Sequence, residues 1–190
     1  KKQFKRNKKE YDKLANHIGL FPLVMISPYD VNLIMDGSEE RRKFIDNVIS
    51  QTDSVYLDEL IIYNKHLLNR NALLKQVAAT RKLDVALLEI LNEQLIFSGN
   101  KIFEKRKQFL SDFIPLFNKH YSYITDNAEF VSLNYQSQLN EQNFEDLLKQ
   151  SIDKDRVLER TTTGIHKDEL QFTIGDMPLK KFGSQGQQKS

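Results

Sequence analysis

The sequence predicts an α+β protein in which strand-bearing ends flank a helical middle. Apolar residues recur at steps of three and four from about position 54 to 123, which is typical of amphipathic helices. At 131–136 and again at 170–174 they alternate with polar residues, as in half-buried strands. This order is the pattern of a domain interrupted by an insertion, and two independent units in a row are the alternative.

Composition limits the classes of site that the chain can carry. Its 190 residues, 39% of them hydrophobic, are enough for one good-sized core or two small ones. The formal net charge of +2 is too small to indicate a nucleic-acid binder by itself. Zero cysteines exclude disulfides and thiolate metal sites, which fits a cytoplasmic location. We expect no metal site, because the histidines lack metal-ligand spacing, and no membrane span, because no long apolar run occurs.

The N-terminal part combines a basic stretch with an apolar run. Only two acidic residues, Glu10 and Asp12, occur in the same stretch as its cations. Either nucleic-acid binding or an ordinary solvated edge explains this excess of positive charge. The cations are Lys1, Lys2, Lys5, Arg6, Lys8, Lys9 and Lys13. The apolar run that follows, Leu20 to Ile26, predicts a buried strand that ends at Ser27-Pro28.

The helical middle is predicted as one short and two long helices. Ser38 is placed to cap the first. The second spans about Ser54 to Thr80, and the third begins after Asp84 and runs to about Tyr123. Gly99 is a weak point of the third helix, and Pro115 predicts a kink or a break. Each long helix has one apolar stripe to bury, so the two should pack antiparallel.

The C-terminal part is predicted to return to strands. A helix over about Glu141 to Arg156 follows the strand at 131–136. After the strand at 170–174, Gly175-Asp176 is a turn signal, and Lys180 to Phe182 is expected to return as the partner strand.

The last residues allow three interpretations. Gly183 to Ser190 fits a phosphate-binding P-loop of the form G-x-x-x-x-G-K-[ST], but Gln188 stands where the second glycine is required. Ser184 to Gln187 fits the S-x-G-Q core of an ABC-type signature loop, which contacts the γ-phosphate of ATP held by a partner protomer. We favour this second interpretation. The third is a polar chain end with no ligand.

Several motifs in register resemble the RecF family. The matching segments are Ile26 to Asp30, Gly37 to Asp46, Arg70 to Lys75, Thr162 to Leu170 and Gly183 to Lys189. The fourth is similar to the family motif T-x-G-P-H-R-D-D-L, and the fifth to its signature S-Q-G-Q-Q-R. The resemblance covers essentially the whole chain, and several motifs in order are more specific than any one of them.

The resemblance implies an SMC-like ABC-type ATPase whose nucleotide-binding head is interrupted by an antiparallel helical lobe. It divides the chain into head (1–28), helical lobe (29–126) and head ending at the signature loop (127–190). It implies a role in DNA replication and recombinational repair of gapped DNA, with RecO and RecR as partners in loading RecA. It also implies that Walker A precedes this chain and that Walker B, the D-loop and the switch histidine follow it, so the fragment alone should be inactive.

The resemblance also assigns an ATP site that is shared between two copies of the protein. In an ATP-dependent homodimer, Ser184, Gln185, Gly186 and Gln187 would cap the ATP of the opposite head. Ser184 would offer its hydroxyl to the γ-phosphate, Gly186 a backbone N–H, and Gln187 would orient the loop. ATP with Mg²⁺ is expected in the full-length protein and neither in the fragment alone.

Other residues are site candidates, each with a structural alternative. Asp30, His166 and Asp168 are candidates for the head site; an Asx-type turn, a satisfied loop histidine and a cap before a strand are the alternatives. The DNA-binding candidates are Arg41, Arg42, Lys101, Lys105 and Arg106. For the first two the alternative is ion pairing with Glu39, Glu40 or Asp46 on the same helix, and for the others a solvated face.

Two function classes remain beside the ATPase. One is a helical interaction module whose groove binds a partner helix. The other is a nucleic-acid binding protein that never contacts nucleotide, as the basic N-terminal stretch predicts. Dependence on ATP distinguishes both from the ATPase.

Overall fold

Two long antiparallel helices form the centre of the molecule. The computed structural model describes residues 4–126, 129–175 and 177–182, without the side chain of Phe182. Helix α3 spans Ser54–Thr80 and helix α4 spans Val85–Ile124. The carboxylates of Asp53 and Asp84 cap their N-termini by accepting hydrogen bonds from backbone N–H groups. The predicted antiparallel pair is therefore confirmed.

Pro115, where the sequence predicts a kink or a break, does not break α4. The helix is continuous to Ile124. One aromatic ring per turn lies along it around the proline, with centroids 5.4 Å apart for Phe109 and Phe113 and 6.2 Å apart for Phe113 and Phe117. Contacts of this kind offset the hydrogen bond that a proline forfeits inside a helix.

Two short helices lead into the central pair. Helix α1 spans Asn32–Met35 and helix α2 spans Ser38–Thr52. Ser38 is the first residue of α2 and Gly37 is its cap, one position earlier than predicted. Ile45 of α2 is buried in the core, so the helix is fixed against α3 and α4 by its apolar face.

A three-stranded antiparallel sheet covers one side of the helices. Its strands are β3 (Val131–Gln136), β4 (Glu169–Ile174) and β5 (Met177–Pro178), in the order β3-β4-β5. Val131 pairs with Ile174 and Gln136 with Glu169. Helix α5 (Phe144–Leu158) lies between β3 and β4 in sequence. Both alternating patterns are thus confirmed as strands.

The predicted return strand is wrong. Only Met177–Pro178 pairs with β4, and the chain then turns into the short helix α6, Leu179–Phe182. Leu179 is buried under the sheet, whereas Lys180 and Lys181 are exposed. A strand would alternate buried and exposed side chains, whereas Lys180 and Lys181 are exposed in succession, as the outer face of a helical turn allows.

The N-terminal part differs most from the prediction. Strands β1 (Lys5–Arg6) and β2 (Lys9–Glu10) form a small hairpin. The run Leu20 to Ile26, predicted as a buried strand, has no regular structure and is exposed, Ile26 by 87%. No described segment pairs with it, and a strand needs a neighbour for its backbone groups.

The larger of two apolar clusters among the described residues joins the helices and the larger sheet. It includes Ile45 of α2, Tyr63 of α3, Leu95 of α4, Phe144 of α5 and Leu170 of β4, each no more than 1% exposed. The segments before and after position 127 therefore pack together. Within the described residues, no helix is long and apolar enough to cross a bilayer.

Candidate functional site

The loop from Arg160 to Asp168 connects α5 to β4 and lies against α2, α3 and α4. Gly164 has φ +115°, a conformation that disfavours any side chain. A Cβ at this position would lie 2.5 Å from the ring of Phe144 and 2.9 Å from the hydroxyl of Tyr63. The loop therefore requires glycine for both its backbone conformation and its packing.

A buried arginine of α3 holds the first half of the loop. Arg70 is 0% exposed, and its Nη1 donates to Asp155 Oδ2 at 2.7 Å and to Thr161 Oγ1 at 2.8 Å. Its Nε donates to Asn92 Oδ1 at 2.8 Å. One guanidinium thus joins α3, α4, α5 and the loop. A buried ion pair of this kind is costly to break.

Neighbouring side chains satisfy the backbone of the same segment. The N–H and hydroxyl of Thr161 donate to Asn71 Oδ1 at 2.7 and 2.8 Å. Those of Thr162 donate to Asp155 Oδ1 at 2.8 and 2.6 Å. The hydroxyls of Thr163 and Ser151 lie 3.2 Å apart. Three successive threonines are therefore fixed by side chains of α3 and α5.

A second buried arginine holds the other half of the loop. Arg106 of α4 is 2% exposed, and its Nη1 donates to Ile165 O at 2.9 Å and to Asp168 Oδ2 at 2.8 Å. Its Nη2 donates to Asp46 Oδ1 at 2.9 Å, and the hydroxyls of Tyr56 and Tyr135 complete the cluster. Burial lowers the pKa of Arg106, but Asp46 and the other acidic partners outweigh it, and the pKa is raised.

This geometry corrects the expectation that Arg106 contacts DNA. Its guanidinium lies inside the protein and donates to groups of α2, α3 and the loop. A phosphate could not reach it without displacing those partners. Lys105, its neighbour in sequence, is exposed, and the sequence alone does not distinguish the two positions.

His166 lies between the two arginines as a neutral imidazole. Its Nε2 is 3.1 Å from Thr161 O, a carbonyl that can only accept, so Nε2 carries the proton. Its Nδ1 is 2.8 Å from the hydroxyl of Tyr63 and therefore accepts. Burial, partly offset by Thr161 O, lowers the pKa of His166 to about 4. The group is thus a satisfied loop histidine in this structure.

Asp168 ends the loop as a buried acid. Burial raises the pKa of Asp168, although Arg106 and Tyr135 act in the opposite direction. Arg42 donates from Nη1 to Asp168 O at 2.6 Å. Burial and the charge of Arg106 lower the pKa of Arg42. The loop brings His166 and Asp168 together with Arg42, which the sequence placed in a separate motif.

Arg41 forms its ion pair with the sheet. Its Nε and Nη2 donate to both carboxylate oxygens of Glu169 at 2.6 and 2.8 Å. Its Nη1 donates to Leu33 O at 2.7 Å. The pair crosses from α2 to β4, so the expected partners on the same helix are not the ones used. A bidentate pair of this kind fixes orientation as well as distance.

Lys101 and Lys105 lie on the outer face of α4. Lys101 Nζ pairs with Glu59 Oε1, and Lys105 Nζ lies 2.6 Å from Asp53 Oδ2. Both side chains are about half exposed, 45% and 55%. Their carboxylate partners are less exposed, 11% for Glu59 and 22% for Asp53, so a ligand that took either ammonium group would leave a mostly buried carboxylate without its counter-charge.

Asp30 belongs to a local cap. Its carboxylate accepts from the backbone N–H of Ser27 at 2.9 Å and from the hydroxyl of Ser27 at 3.1 Å. Ser27 Oγ in turn accepts from Tyr29 N–H at 3.2 Å. This is a reciprocal capping box, close to the turn predicted as the structural alternative.

A cavity of about 340 Å³ opens beside the loop. Residues of α2, α3, α4 and the loop line it, among them Arg42, Tyr63, Asn64, Arg106 and His166. Among the described residues, no group of three or more His, Cys, Asp or Glu side chains could hold a metal ion. Ser184, Gln185, Gly186 and Gln187, the predicted ATP-capping residues, lie outside the described residues.

Sequence reasoning missed Arg70 and Asp155 as the centre of the loop's anchor. In the sequence, Arg70 stands only within a family motif, and Asp155 stands only within the helix predicted over about Glu141 to Arg156. The available signal was the position of each charge on an apolar face, next to Leu73 and Leu74 for Arg70 and next to Ile152 for Asp155.

The chain is similar over its whole length to RecF proteins. It is 56% identical over 190 residues to the DNA replication and repair protein RecF of Flavobacterium johnsoniae, covering 100% of this chain and 53% of the relative. It is 52% identical to RecF of Parabacteroides distasonis, covering 51% of that relative. The chain thus spans about half the length of these curated relatives. No protein-family model matches the sequence.

Solved structures agree. The chain matches "Structure of the recombination mediator protein RecF-ATP in RecFOR pathway" with a TM-score of 0.90 and 28% identity over 98% of this chain and 52% of that one. It matches the corresponding RecF-ATPrS structure with a TM-score of 0.88 and 28% identity over 96% of this chain and 51% of that one. The expected α+β fold, part of an ABC-type ATPase head with a helical insert, is confirmed.

Proposed function

We propose, on the premise that this chain belongs to the RecF family over its whole length, that it forms part of an ATP-dependent DNA-binding switch in DNA replication and repair. The observation that carries the proposal is the match to a RecF-ATP structure over 98% of this chain. ATP with Mg²⁺ is the cofactor proposed for the full-length protein.

The proposed contact with ATP is made by Ser184, Gln185, Gly186 and Gln187. They would cap the γ-phosphate of ATP held by a second copy, so that losing this phosphate would release the dimer. Helix α6 ends at Phe182, directly before this segment, and its Leu179 is buried. The chain up to Phe182 is therefore tied to the core through Leu179.

The proposed coupling runs from the capping segment through β4 to the helices. The division into head (1–28 and 127–190) and helical lobe (29–126) is part of this proposal. Three side chains of the lobe bond directly to residues 165–169: Arg41 to Glu169, Arg42 to Asp168 O, and Arg106 to Asp168. Such short contacts would make the lobe move with β4 when the nucleotide state changes.

The proposed partners follow from the family. They are gapped or junction-containing DNA, a second copy of the protein, and the RecO, RecR and RecA proteins, with the cytoplasm as location. Lys101 and Lys105 are the DNA-contact candidates of α4 because their side chains are about half exposed, and a phosphate there would compete with Glu59 and Asp53 for them. Arg41 and Arg42 stay candidates only for contacts compatible with the bonds they already make to Glu169 and Asp168.

Ser184→Arg in the full-length protein tests the ATP contact. ATP should still bind, because its own head holds it, whereas ATP-driven dimerisation in sedimentation velocity and ATP turnover should collapse. The matched control is Ser111→Arg, the same change at an exposed position of α4, which should dimerise like the wild type. Unchanged dimerisation of Ser184→Arg would sink the assignment.

A groove favours a second function, a nucleotide-independent interaction module. It lies between α4 and α5, has a volume of about 820 Å³, and is lined by Ile96, Phe97 and Leu148 with charged residues around them. Phe97 is largely exposed there, with the ammonium of Lys101 3.9 Å from its ring centroid. A partner helix bound equally well with and without ATP would support this function over the switch.

A further inference from the structure

The β1–β2 hairpin is a strongly cationic projection. Between positions 5 and 10 it carries four cationic side chains and one carboxylate, and every residue of both strands is exposed. The cations are Lys5, Arg6, Lys8 and Lys9. Throughout the part of the chain that the structure describes, none of them lies within 4.0 Å of an acidic oxygen.

The register of the hairpin places like charges opposite each other. Arg6 pairs directly with Lys9, while Lys5 pairs with Glu10. Directly opposite residues share a face of the sheet, and like charges in such positions destabilise it. A two-stranded hairpin is only marginally stable by itself. An anion bound on the Arg6–Lys9 face would therefore relieve a repulsion that the described residues leave in place.

The turn keeps a lysine where glycine is favoured. Asn7 has φ 50° and Lys8 has φ 68°, the left-handed conformations of a tight hairpin turn. Asparagine tolerates this region, but a long side chain with a Cβ is strained in it. Lys8 thus holds a charge at the tip of the hairpin at the expense of stability, which is a feature of functional positions.

A cluster of aromatic rings joins the ends of the hairpin to the segment that follows it. Tyr11 N–H donates to Phe4 O at 3.1 Å, and the Tyr11 hydroxyl is 3.0 Å from His17 Nδ1. The His17 ring also contacts Phe4 and Phe21, at centroid distances of 6.4 and 6.1 Å. These contacts hold the two ends of the hairpin next to the residues that follow it.

We propose that the β1–β2 hairpin contacts the backbone phosphates of duplex DNA without reading its sequence. The inference rests on the proposed function and names the surface that would contact the DNA. Four cations within six residues form a dense positive charge. Duplex DNA carries one negative charge per roughly 1.7 Å of its axis, which is a higher charge density than that of a single DNA strand, so the duplex is the better match. Three of its four cations are lysines, whose ammonium groups bind phosphates as point charges, so the hairpin is suited to backbone contacts that carry no sequence information.

The test removes the charges of the hairpin from the full-length protein. Lys5, Arg6, Lys8 and Lys9 are replaced together by Gln, and binding to a labelled random-sequence duplex is measured between about 50 and 200 mM salt. Affinity should fall about ten-fold or more, and the slope of log K against log salt should become shallower by about 2 to 3. The matched control replaces three lysines and one arginine at exposed positions of α3 and of the turn after it by Gln, namely Lys65, Lys75, Arg81 and Lys82, and should keep the wild-type slope.

A single substitution separates binding from folding. Lys8→Gly removes the tip charge and the strain of φ 68°, so it should raise Tm and still weaken duplex binding. A wild-type slope in the fourfold hairpin variant would overturn the inference while leaving the proposed function intact. The inference would also be overturned if the fourfold variant lost affinity only for single-stranded DNA of equal length and bound the duplex like the wild type. Absence of DNA binding by the wild type would overturn the proposed function itself.

Discussion

His166 is held neutral by the groups around it. The carbonyl of Thr161 fixes the proton on Nε2, and the hydroxyl of Tyr63 donates to Nδ1. A second proton would be buried beside Lys167 and Arg42, whose charges also lower the pKa of His166. The histidine therefore fixes the shape of the loop and does not act as a cation at neutral pH.

This environment predicts a pH-dependent stability. The pKa of His166 falls from 6.5 to about 4 on folding, so between these values the unfolded chain takes up a proton that the native protein does not. Its stabilising contribution is complete above pH 6.5 and is lost as the pH falls towards 4, by roughly 3 kcal/mol at most. Urea denaturation from pH 7 to 4.5 should show this loss in the wild type.

His166→Gln should flatten that decline, although the variant is less stable at pH 7 because it loses the contact with Tyr63. His120→Gln, which removes an exposed histidine of α4, serves as control and should keep the wild-type decline. Equal slopes for the wild type and His166→Gln would show that the native protein does protonate His166 in this range.

At the scale of elements, buried ion pairs join the helices to the loop. Arg70 and Asp155 are each 0% exposed and connect α3 with α5. Asp155 also accepts from Thr162 N–H and from Ser151 Oγ. The pair therefore determines where α5 ends and where the loop begins, and loss of one charge would leave the other buried without compensation.

Asp155→Asn should destabilise the full-length protein by about 3 to 5 kcal/mol, because the guanidinium of Arg70 would keep its burial without a counter-charge. Chemical denaturation measures this change. Glu145→Gln, which breaks the exposed pair with Lys149 on the same helix, should cost no more than about 0.5 kcal/mol. Similar values for the two variants would contradict the structural role given to Arg70.

The periodicity of apolar residues in the sequence identified the helices and strands that have one buried apolar face. The sequence pattern correctly predicted α3, α4, β3 and β4, because each has apolar residues at the spacing of its secondary structure. It was wrong for Leu20 to Ile26, where an apolar run satisfies the pattern but no described strand pairs with it. A strand depends on its neighbour, which local sequence does not contain.

The same limit applies to the charged residues of the site. Arg106 and Lys105 are adjacent in sequence, yet one is buried among Asp46, Tyr56 and Asp168 and the other is exposed. The partner of Arg41 is Glu169, which is 128 residues away in the chain. Sequence spacing detects partners within one helix, so it suggested Glu39 and Glu40 and could not suggest Glu169.

In the molecule as a whole, strand β4 is fixed to helices α2 and α4 and is followed, through β5 and α6, by the proposed capping segment. The bonds of Arg41, Arg42 and Arg106 to residues 165–169 are the physical basis for treating the described part as one unit. In the proposed function, Ser184 to Gln187 contact ATP that is bound to another copy of the protein.

The most direct measurement is photolabelling of the full-length protein with an ATP analogue that carries its reactive group on the γ-phosphate, followed by peptide mapping. The account predicts label on the peptide that contains Ser184 to Gln187, only at protein concentrations at which the ATP-bound dimer forms. Label on this peptide at equal yield in the monomer, or dimers labelled only elsewhere, would contradict it.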